Sequence, residues 1–175
     1  MNIVHVSIKG IAPLLFHRFV EGLGGKPDPN ISDREIAEQS LYLDEDKKVY
    51  TPNDHIERSL QKAGTQFKFK GRKTYLDFIK SGVFVRPDAI IHKNQEWVAD
   101  KRDVVIKTSR IMRIRPRMDN WELDFTMDVT NPDVDLKELN KILIYAGQYI
   151  GIGDYRPKFG RFLVSKYDYD QVTRK

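Results

Sequence analysis

Two short basic runs are the features of the sequence best suited to binding a polyanion. The first, KTSRIMRIRPR (107–117), holds five cations and no acid. If this run is extended from Met112, alternate side chains point to the same side, so Arg113, Arg115 and Arg117 form a row. Guanidinium groups in a row suit bidentate contacts with phosphates. The candidate residues of this run are Arg110, Arg113, Arg115 and Arg117.

The second run, KFKGRK (68–73), mixes cations with aromatic residues, because Phe67, Phe69 and Tyr75 lie in or beside it. Aromatic rings stack on unpaired bases while cations neutralise phosphates, so the mixture favours a single strand of nucleic acid. A solvated surface is the alternative explanation for each run taken alone. The candidate residues here are Lys68, Lys70, Arg72 and Lys73.

A third candidate is the loop GIGDYRPKFGRF (151–162), which follows a helical pattern and precedes a strand. Loops that hold nucleotide phosphates open a helix, whereas this one closes a helix, at the end that repels anions. An anion would therefore depend on loop cations and amides, and a plain turn is the alternative. Phe159 could stack on a base or anchor the loop in the core. The candidate residues are Gly151, Gly153, Tyr155, Arg156, Lys158, Gly160 and Arg161.

Catalytic patterns are weaker. The chain has no cysteine and its four histidines are not paired at ligand spacing, so we expect no metal site and no cofactor. The segment at 21–30 contains GGK without the spacing of a phosphate-binding loop and is predicted to be a mobile loop. His17, beside Arg18, is a weak candidate for the general acid or base of a metal-independent ribonuclease. A structural histidine at the sheet edge is the alternative.

Three segments carry the start signals of helices. Ser32 and Glu35 form a capping-box pattern before a short helix. In TPNDHIERSLQKAG (51–64), Thr51 is predicted to cap the helix, with a proline at the first helical position. Asp135 begins the last helix, whose apolar residues recur at spacings of three and four.

Alternation of apolar and polar residues predicts strands at 2–11 and 121–129. VFVRPDAII (83–91) and VVIKTSRIMRIRPRM (104–118) are strand-like, and RFLVSKYDY (161–169) is predicted to be the last strand. The order is strand, helix, strand, strand, helix, strand. We therefore predict an α+β fold that is ferredoxin-like (βαββαβ, RRM-like), with two helices on an antiparallel sheet and an inserted β-hairpin region. Residues 1–175 are predicted to form one domain, with a basic insertion at about 66–118.

Composition limits the class of protein. The 175 residues are 40% hydrophobic and carry a net charge of +5, which permits a polyanionic partner. The N-terminus lacks a signal-peptide pattern and no apolar run approaches the roughly 20 residues of a membrane helix, so we expect a soluble cytoplasmic protein with no membrane partner. Acids gather on one face of the strand at 121–129. Separate acidic and basic faces are typical of head-to-tail self-association.

The order of elements resembles that of the RAMP superfamily, the RNA-recognition-like proteins of CRISPR effector complexes. ELNKILIYAGQYIGIG followed by DYRPKFGRF resembles the helix and glycine-rich loop of that family, and VYTPNDHIERSLQKAG resembles the start of its first helix. The loop is less glycine-dense than is typical. The matching loop residues are Gly147, Gly151, Gly153, Arg156, Gly160 and Arg161.

The resemblance implies one of two activities. Backbone subunits of the family bind guide RNA along a filament without cutting it, whereas processing subunits cleave RNA, often with a histidine near the first strand or helix. One domain with a large insertion is more similar to a backbone subunit or a stand-alone relative. Such a protein can also be carried by a phage or mobile element for another purpose.

The sequence therefore predicts binding of single-stranded nucleic acid, RNA or DNA with RNA favoured, mainly through phosphates. The chain would act as a subunit of an antiviral ribonucleoprotein or as a stand-alone relative. Two alternatives stay open. One is a metal-independent endoribonuclease. The other is a non-enzymatic protein-interaction module of a phage or mobile element.

Overall fold

The computed structural model describes residues 1–19 and 30–171, so nearly all of the loop predicted at 21–30 lies outside the described residues. The strands are β1 (Asn2–Gly10), β2 (Leu14–Leu15), β3 (Tyr50–Pro52), β4 (Lys68–Lys70), β5 (Lys73–Thr74), β6 (Val83–Arg86), β7 (Ala89–Ile91), β8 (Val98–Ile106), β9 (Ser109–Met118), β10 (Glu122–Val129) and β11 (Phe162–Gln171). The helices are α1 (Asp33–Glu38), α2 (Asn53–Gly64), α3 (Leu76–Gly82) and α4 (Leu136–Tyr145), and α4 continues into a π-helical turn (Ala146–Ile150).

A four-stranded antiparallel sheet with the order β11-β1-β10-β6 is the centre of the fold. The alternation predicted for its two central strands is confirmed, because Val4, Val6 and Ile8 of β1 are almost fully buried. They face the same side as Leu123 and Phe125 of β10, which lie in register with them. Helices α2 and α4 cover this face and bury their own apolar stripes against it.

The chain visits this sheet in the order β1, α2, β6, β10, α4, β11. That order and the antiparallel pairing are compatible with the predicted ferredoxin-like arrangement. The molecule as a whole is a mixed α/β structure with antiparallel sheets and four helices in its described part. Within 66–118, β6 pairs with β10 at the edge of the central sheet, so the two basic runs flank a strand of that sheet along the chain.

The helix starts follow the predicted signals with one exception. Ser32 and Glu35 form the capping box of α1, and the Asp135 carboxylate accepts the first amides of α4. The prediction that Thr51 caps α2 is wrong. Thr51 is buried in β3, where its Oγ1 lies 2.8 Å from Nε2 of His92, and Pro52 occupies the capping position without a side-chain bond. The buried histidine provides Thr51 with a partner that the local sequence does not reveal.

The long β8–β9 hairpin is held at its base by two other segments. The loop after α4 contacts one face, where Asp154 bonds Arg115 and the ring of Phe159 lies under the guanidinium of Arg102. Helix α1 contacts the other face, where Asp33 pairs with Lys101. The outer half of the hairpin projects beyond these contacts.

None of the described helices is long and apolar enough to cross a membrane.

Candidate nucleic-acid interface

The arginines of β9 share one face, as the alternation predicts, but acidic residues lie beside them. The side chain of Arg115 is 4% exposed, and its Nη1 donates to Asp154 at 2.7 Å. Arg117 donates to Asp100 and to Asp119, each at 2.7 Å. The charges of Arg115 and Arg117 are therefore neutralised by carboxylates of the protein itself.

The ion pair between Arg115 and Asp154 is tightly held. Burial disfavours the charged form of Asp154, but hydrogen bonds from Arg115 and from the Tyr155 amide outweigh it and keep the Asp154 pKa below its usual range. The Nε and Nη2 atoms of Arg115 have no hydrogen-bond partner among the described residues. The guanidinium lies 5.8 Å from the centroid of the Tyr155 ring, which contributes a cation–π contact.

His17 and Arg113 form a separate contact at the edge of this cluster. An Arg113 N–H donates to Nε2 of His17 at 2.8 Å, which requires Nε2 to be unprotonated. Burial, together with Arg113 and Arg115, lowers the His17 pKa, and the opposing effect of Asp154 does not compensate. The Nε2 lone pair of His17 is thus occupied, an arrangement that does not favour its use as a general base.

The β4–β5 hairpin separates its cations from its aromatic residues. Phe69 stacks on Phe78 at 3.8 Å between ring centroids, and Phe67 packs edge-on against Tyr145 at 5.6 Å. Both phenylalanine rings are half-buried and pack on other rings of the protein, so each leaves only part of its surface for stacking on a base. The cations are exposed and form no ion pair with any acid in residues 1–19 or 30–171: Lys68, Lys70, Arg72 and Lys73.

The glycines of the loop at 151–162 are explained by the loop's own folding. Gly151, Gly153 and Gly160 have φ values of 76°, 77° and 76°, which disfavour other residues. A Cβ on Gly160 would overlap the carbonyl oxygen of Ile152, and one on Gly153 would lie 2.6 Å from the carbonyl oxygen of Leu15. The space beside these glycines is therefore filled by the protein.

The loop cations differ from the arginines of β9. Arg156 and Lys158 are exposed and have no acid within ion-pair distance in the described part of the chain. Lys158 lies over the ring of Tyr155, 5.8 Å from its centroid. Arg161 is half-buried and its carbonyl accepts the amides of Ile11 and Ala12, so it fixes the loop to the end of β1. Arg110, near the hairpin tip, is exposed and likewise unpaired among the described acids.

A cleft of about 310 Å³ opens between the loop and the end of α2, and we call it the loop cleft. Tyr155 is half exposed at this cleft, whereas Phe159 is 4% exposed and is covered by Arg102 at 4.6 Å. Tyr155 is thus the available ring of that pair. The cleft is lined by Lys62, Tyr149, Ile150, Gly153, Asp154, Tyr155, Arg156 and Pro157.

Lys62 and Tyr149 were missed by the sequence reasoning. One signal for Tyr149 was present, since it lies off the apolar stripe of α4 and so had to face solvent or a partner. Tyr149 also packs on Tyr145 at 4.8 Å, and Tyr145 packs on Phe67. A continuous row of rings therefore links the basic β4–β5 hairpin to the loop cleft.

The open face of the central sheet carries balanced charge. Glu122 lies 3.4 Å from Lys9, and Asp124 lies 2.9 Å from Lys93. Arg86 is 3.8 Å from Asp128. This pairing reduces the charge that the face can offer to a basic partner, on which the prediction of head-to-tail association depended.

Within the two described ranges, no cluster of three or more side chains is arranged to hold a metal ion.

Comparisons with known proteins support the fold. No family model matches the chain, and no curated protein matches it. A chain of a solved structure, the cryo-EM structure of the Type III-B Cmr-beta bound to cognate target RNA, superposes with a TM-score of 0.65 at 14% sequence identity. The match covers 96% of this chain and 60% of that one. The protein therefore shares the fold of this neighbour and spans about three fifths of the neighbour's length.

Proposed function

We propose that the protein binds single-stranded RNA through its phosphates, as a non-cleaving RAMP-type subunit or stand-alone relative. The binding surface runs from the β4–β5 hairpin to the loop cleft. The observation that carries the proposal is the set of exposed cations, at these two places, that have no acidic partner among the described residues. A phosphate can approach them without displacing a protein carboxylate.

The row of rings between the two places supports a single path for the strand. The ring of Tyr145 lies between the other two. It packs edge to face on Phe67, with ring centroids 5.6 Å apart, and tilted on Tyr149, with ring centroids 4.8 Å apart. Cations at both ends and aromatic surface between them are typical of channels for single strands. The fold neighbour belongs to a complex bound to target RNA, which supports RNA rather than DNA as the ligand.

The projecting β8–β9 hairpin offers a second contact. Its outer half exposes Val105, Ile111 and Met112 beside Arg110. Three arginines lie nearer the base of the hairpin: Arg113, Arg115 and Arg117. In this proposal they stabilise the hairpin, whereas Arg110 contacts the RNA. Apolar side chains at the tip would contact bases rather than phosphates.

A salt titration tests the proposal. Binding of a labelled 30-nucleotide RNA is measured by fluorescence anisotropy from 50 to 500 mM salt. Seven phosphate contacts, from the four cations of the β4–β5 hairpin, from Arg110 and from the two loop cations, give a fall of log affinity with log salt of about 5. Arg156→Gln with Lys158→Gln should reduce that slope by about 1.4. Arg86→Gln with Lys93→Gln, which removes the same charge from the sheet face, is the control.

Two results would contradict the proposal. One is the absence of binding to any RNA at 50 mM salt, which would favour a protein partner. The other is an unchanged slope in the loop variant. RNA recovered after incubation in EDTA should be intact. Cleavage that is lost in His17→Ala would instead identify a metal-independent ribonuclease.

A further inference from the structure

We propose that the loop cleft holds one unpaired nucleobase between Tyr149 and Tyr155, with the adjoining phosphates on Lys62 and Arg156. This inference rests on the proposed function and adds to it a defined subsite and a discrimination against duplexes. All four residues line the same cleft.

The two tyrosines are exposed but firmly supported. Tyr149 is 61% exposed and Tyr155 is 50% exposed, so both rings are accessible to a ligand. Each packs on a second ring of the protein, Tyr149 on Tyr145 and Tyr155 on Phe159 at 5.7 Å. Because the rings are held in place, a stacked base would lose little free energy in ordering them.

The backbone at Tyr155 is strained in a way that positions the ring. Its φ is 54°, a left-handed conformation that bulky residues rarely adopt. Such conformations persist where the surroundings impose them, and they concentrate at ligand-binding sites. The flanking contacts impose this one, since Asp154 is held by Arg115 and its amide donates to the carbonyl of Leu15.

The charge of the cleft selects the class of ligand. Lys62 and Arg156 contribute two cations, and the one acid of the lining, Asp154, is neutralised by Arg115. A neutral aromatic ligand would leave the cations unused, and an acidic peptide would leave the rings unused. A nucleotide uses both. The cleft volume of about 310 Å³ lies at the small end of ligand sites and suits one base rather than a stacked pair.

A base inside this cleft has left its own stack, so a duplex cannot fill it without unpairing. The cleft therefore favours single strands over duplexes. Stacking of one base on aromatic side chains changes affinity by about 5- to 150-fold when the aromatic residue is replaced by alanine. This preference is independent of the salt slope, which reports phosphate contacts.

The test uses 12-nucleotide RNAs that each carry 2-aminopurine at one position, with the position moved along the strand. With the wild-type protein, fluorescence should fall at one position or a regularly spaced set. Tyr149→Ala and Tyr155→Ala should abolish this quenching and weaken single-strand binding about 5- to 150-fold. Tyr149→Phe and Tyr155→Phe keep the rings and should retain both. Binding to a 12-base-pair duplex should be the same in all five proteins.

Thermal unfolding of each variant confirms that the exposed substitutions leave the fold intact. Lys62→Gln provides a second route, since it should lower the salt slope by about 0.7 while quenching persists. If RNA binds with the expected salt slope but no position is quenched, or if both alanine variants bind normally, the cleft proposal is overturned and the proposed function stands. If the wild type binds no RNA, both are overturned.

Discussion

Two basic regions of equal promise in the sequence have different surroundings in the structure. In β9, Arg115 is buried on Asp154, and Arg117 is shared between Asp100 and Asp119. In the β4–β5 hairpin and the loop, the cations are exposed and no described acid lies within ion-pair distance. The density of arginine along a strand is thus a poor measure of the charge available to a ligand.

The physical reason is competition between partners. A phosphate that contacts Arg117 must share or displace two carboxylates, and the hydrogen bonds that Arg117 donates to Asp119 and Asp100 raise the Arg117 pKa. A phosphate that contacts the cations of the β4–β5 hairpin displaces only water and counterions, and the release of counterions from the nucleic acid drives binding. The first region is therefore expected to serve folding and the second binding.

The largest effect on RNA binding is expected from the four cations of the β4–β5 hairpin. Lys68→Gln, Lys70→Gln, Arg72→Gln and Lys73→Gln combined should lower the salt slope by about 2.8 and weaken RNA binding a few hundred-fold at 0.1 M salt. The control replaces Lys9, Arg86, Lys93 and Lys166 by glutamine, which removes the same charge from the sheet face. Equal losses in the two quadruple variants, measured by anisotropy, would mean that net charge rather than position matters.

The next effect concerns folding. Asp154→Asn leaves Arg115 buried without a counter-charge, so the free energy of unfolding should fall by about 2 to 3 kcal/mol, somewhat less than for a fully enclosed pair. Urea denaturation measures it. Asp168→Asn, which affects an exposed pair with Lys166, is the control and should change stability by less than about 0.5 kcal/mol. Wild-type stability of Asp154→Asn would remove the distinction between the two regions.

Acid pH should separate folding from binding. Burial lowers the pKa of His92 to about 4, and burial also lowers the pKa values of His17 and His55. Because the unfolded chain binds these protons near pH 6.5, stability is full above that pH and falls as the pH drops towards 4. From pH 7.5 to 5, His92 alone should contribute a loss of about 2 kcal/mol.

Urea titrations at several pH values measure this loss, and His92→Gln should show a correspondingly smaller one. RNA affinity of the folded protein should change little over the same range, since lysine and arginine stay charged. Stability that is independent of pH in the wild type, or an identical pH dependence in His92→Gln, would contradict the prediction.

The smallest effect is expected at Arg117. Arg117→Gln should leave RNA affinity within about twofold and the salt slope unchanged, because two acids already neutralise this side chain. Anisotropy titration at three salt concentrations is sufficient. A slope lowered by about 0.7, the value for one lost phosphate contact, would place Arg117 among the binding residues.

Much of the fold follows from local pattern. The alternation in β1 and β10 and the caps at Ser32 and Asp135 were predicted, because a side-chain period or a cap depends on a few neighbouring residues. The role of Thr51 was not, because its partner His92 is 41 residues away. The place of β6 in the central sheet likewise depends on pairing with β10.

The candidate site, like the fold, has some features that follow from the sequence and others that depend on packing. The positions of its cations, and the turn chemistry of Gly151, Gly153 and Gly160, can be read from the chain. The cleft cannot, because Lys62 and Tyr149 come from α2 and from the π-helical turn and meet the loop only after both helices pack. Tyr149 offered a signal by lying off the apolar stripe, but nothing in the sequence shows what it faces.

The sequence by itself determined how many cations the protein has, how they are spaced and which of them share a strand face. Apart from the local contact of Arg117 with Asp119, the tertiary structure decided which of them are neutralised. Asp154 reaches Arg115 from 39 residues away and Asp100 reaches Arg117 from 17 residues away, each on a different element. Ion pairing needs atoms within about 4 Å. The packing of the loop against the hairpin sets that distance for Asp154, and the pairing of β8 with β9 sets it for Asp100. These contacts separate the arginines of folding from the cations of the proposed RNA surface.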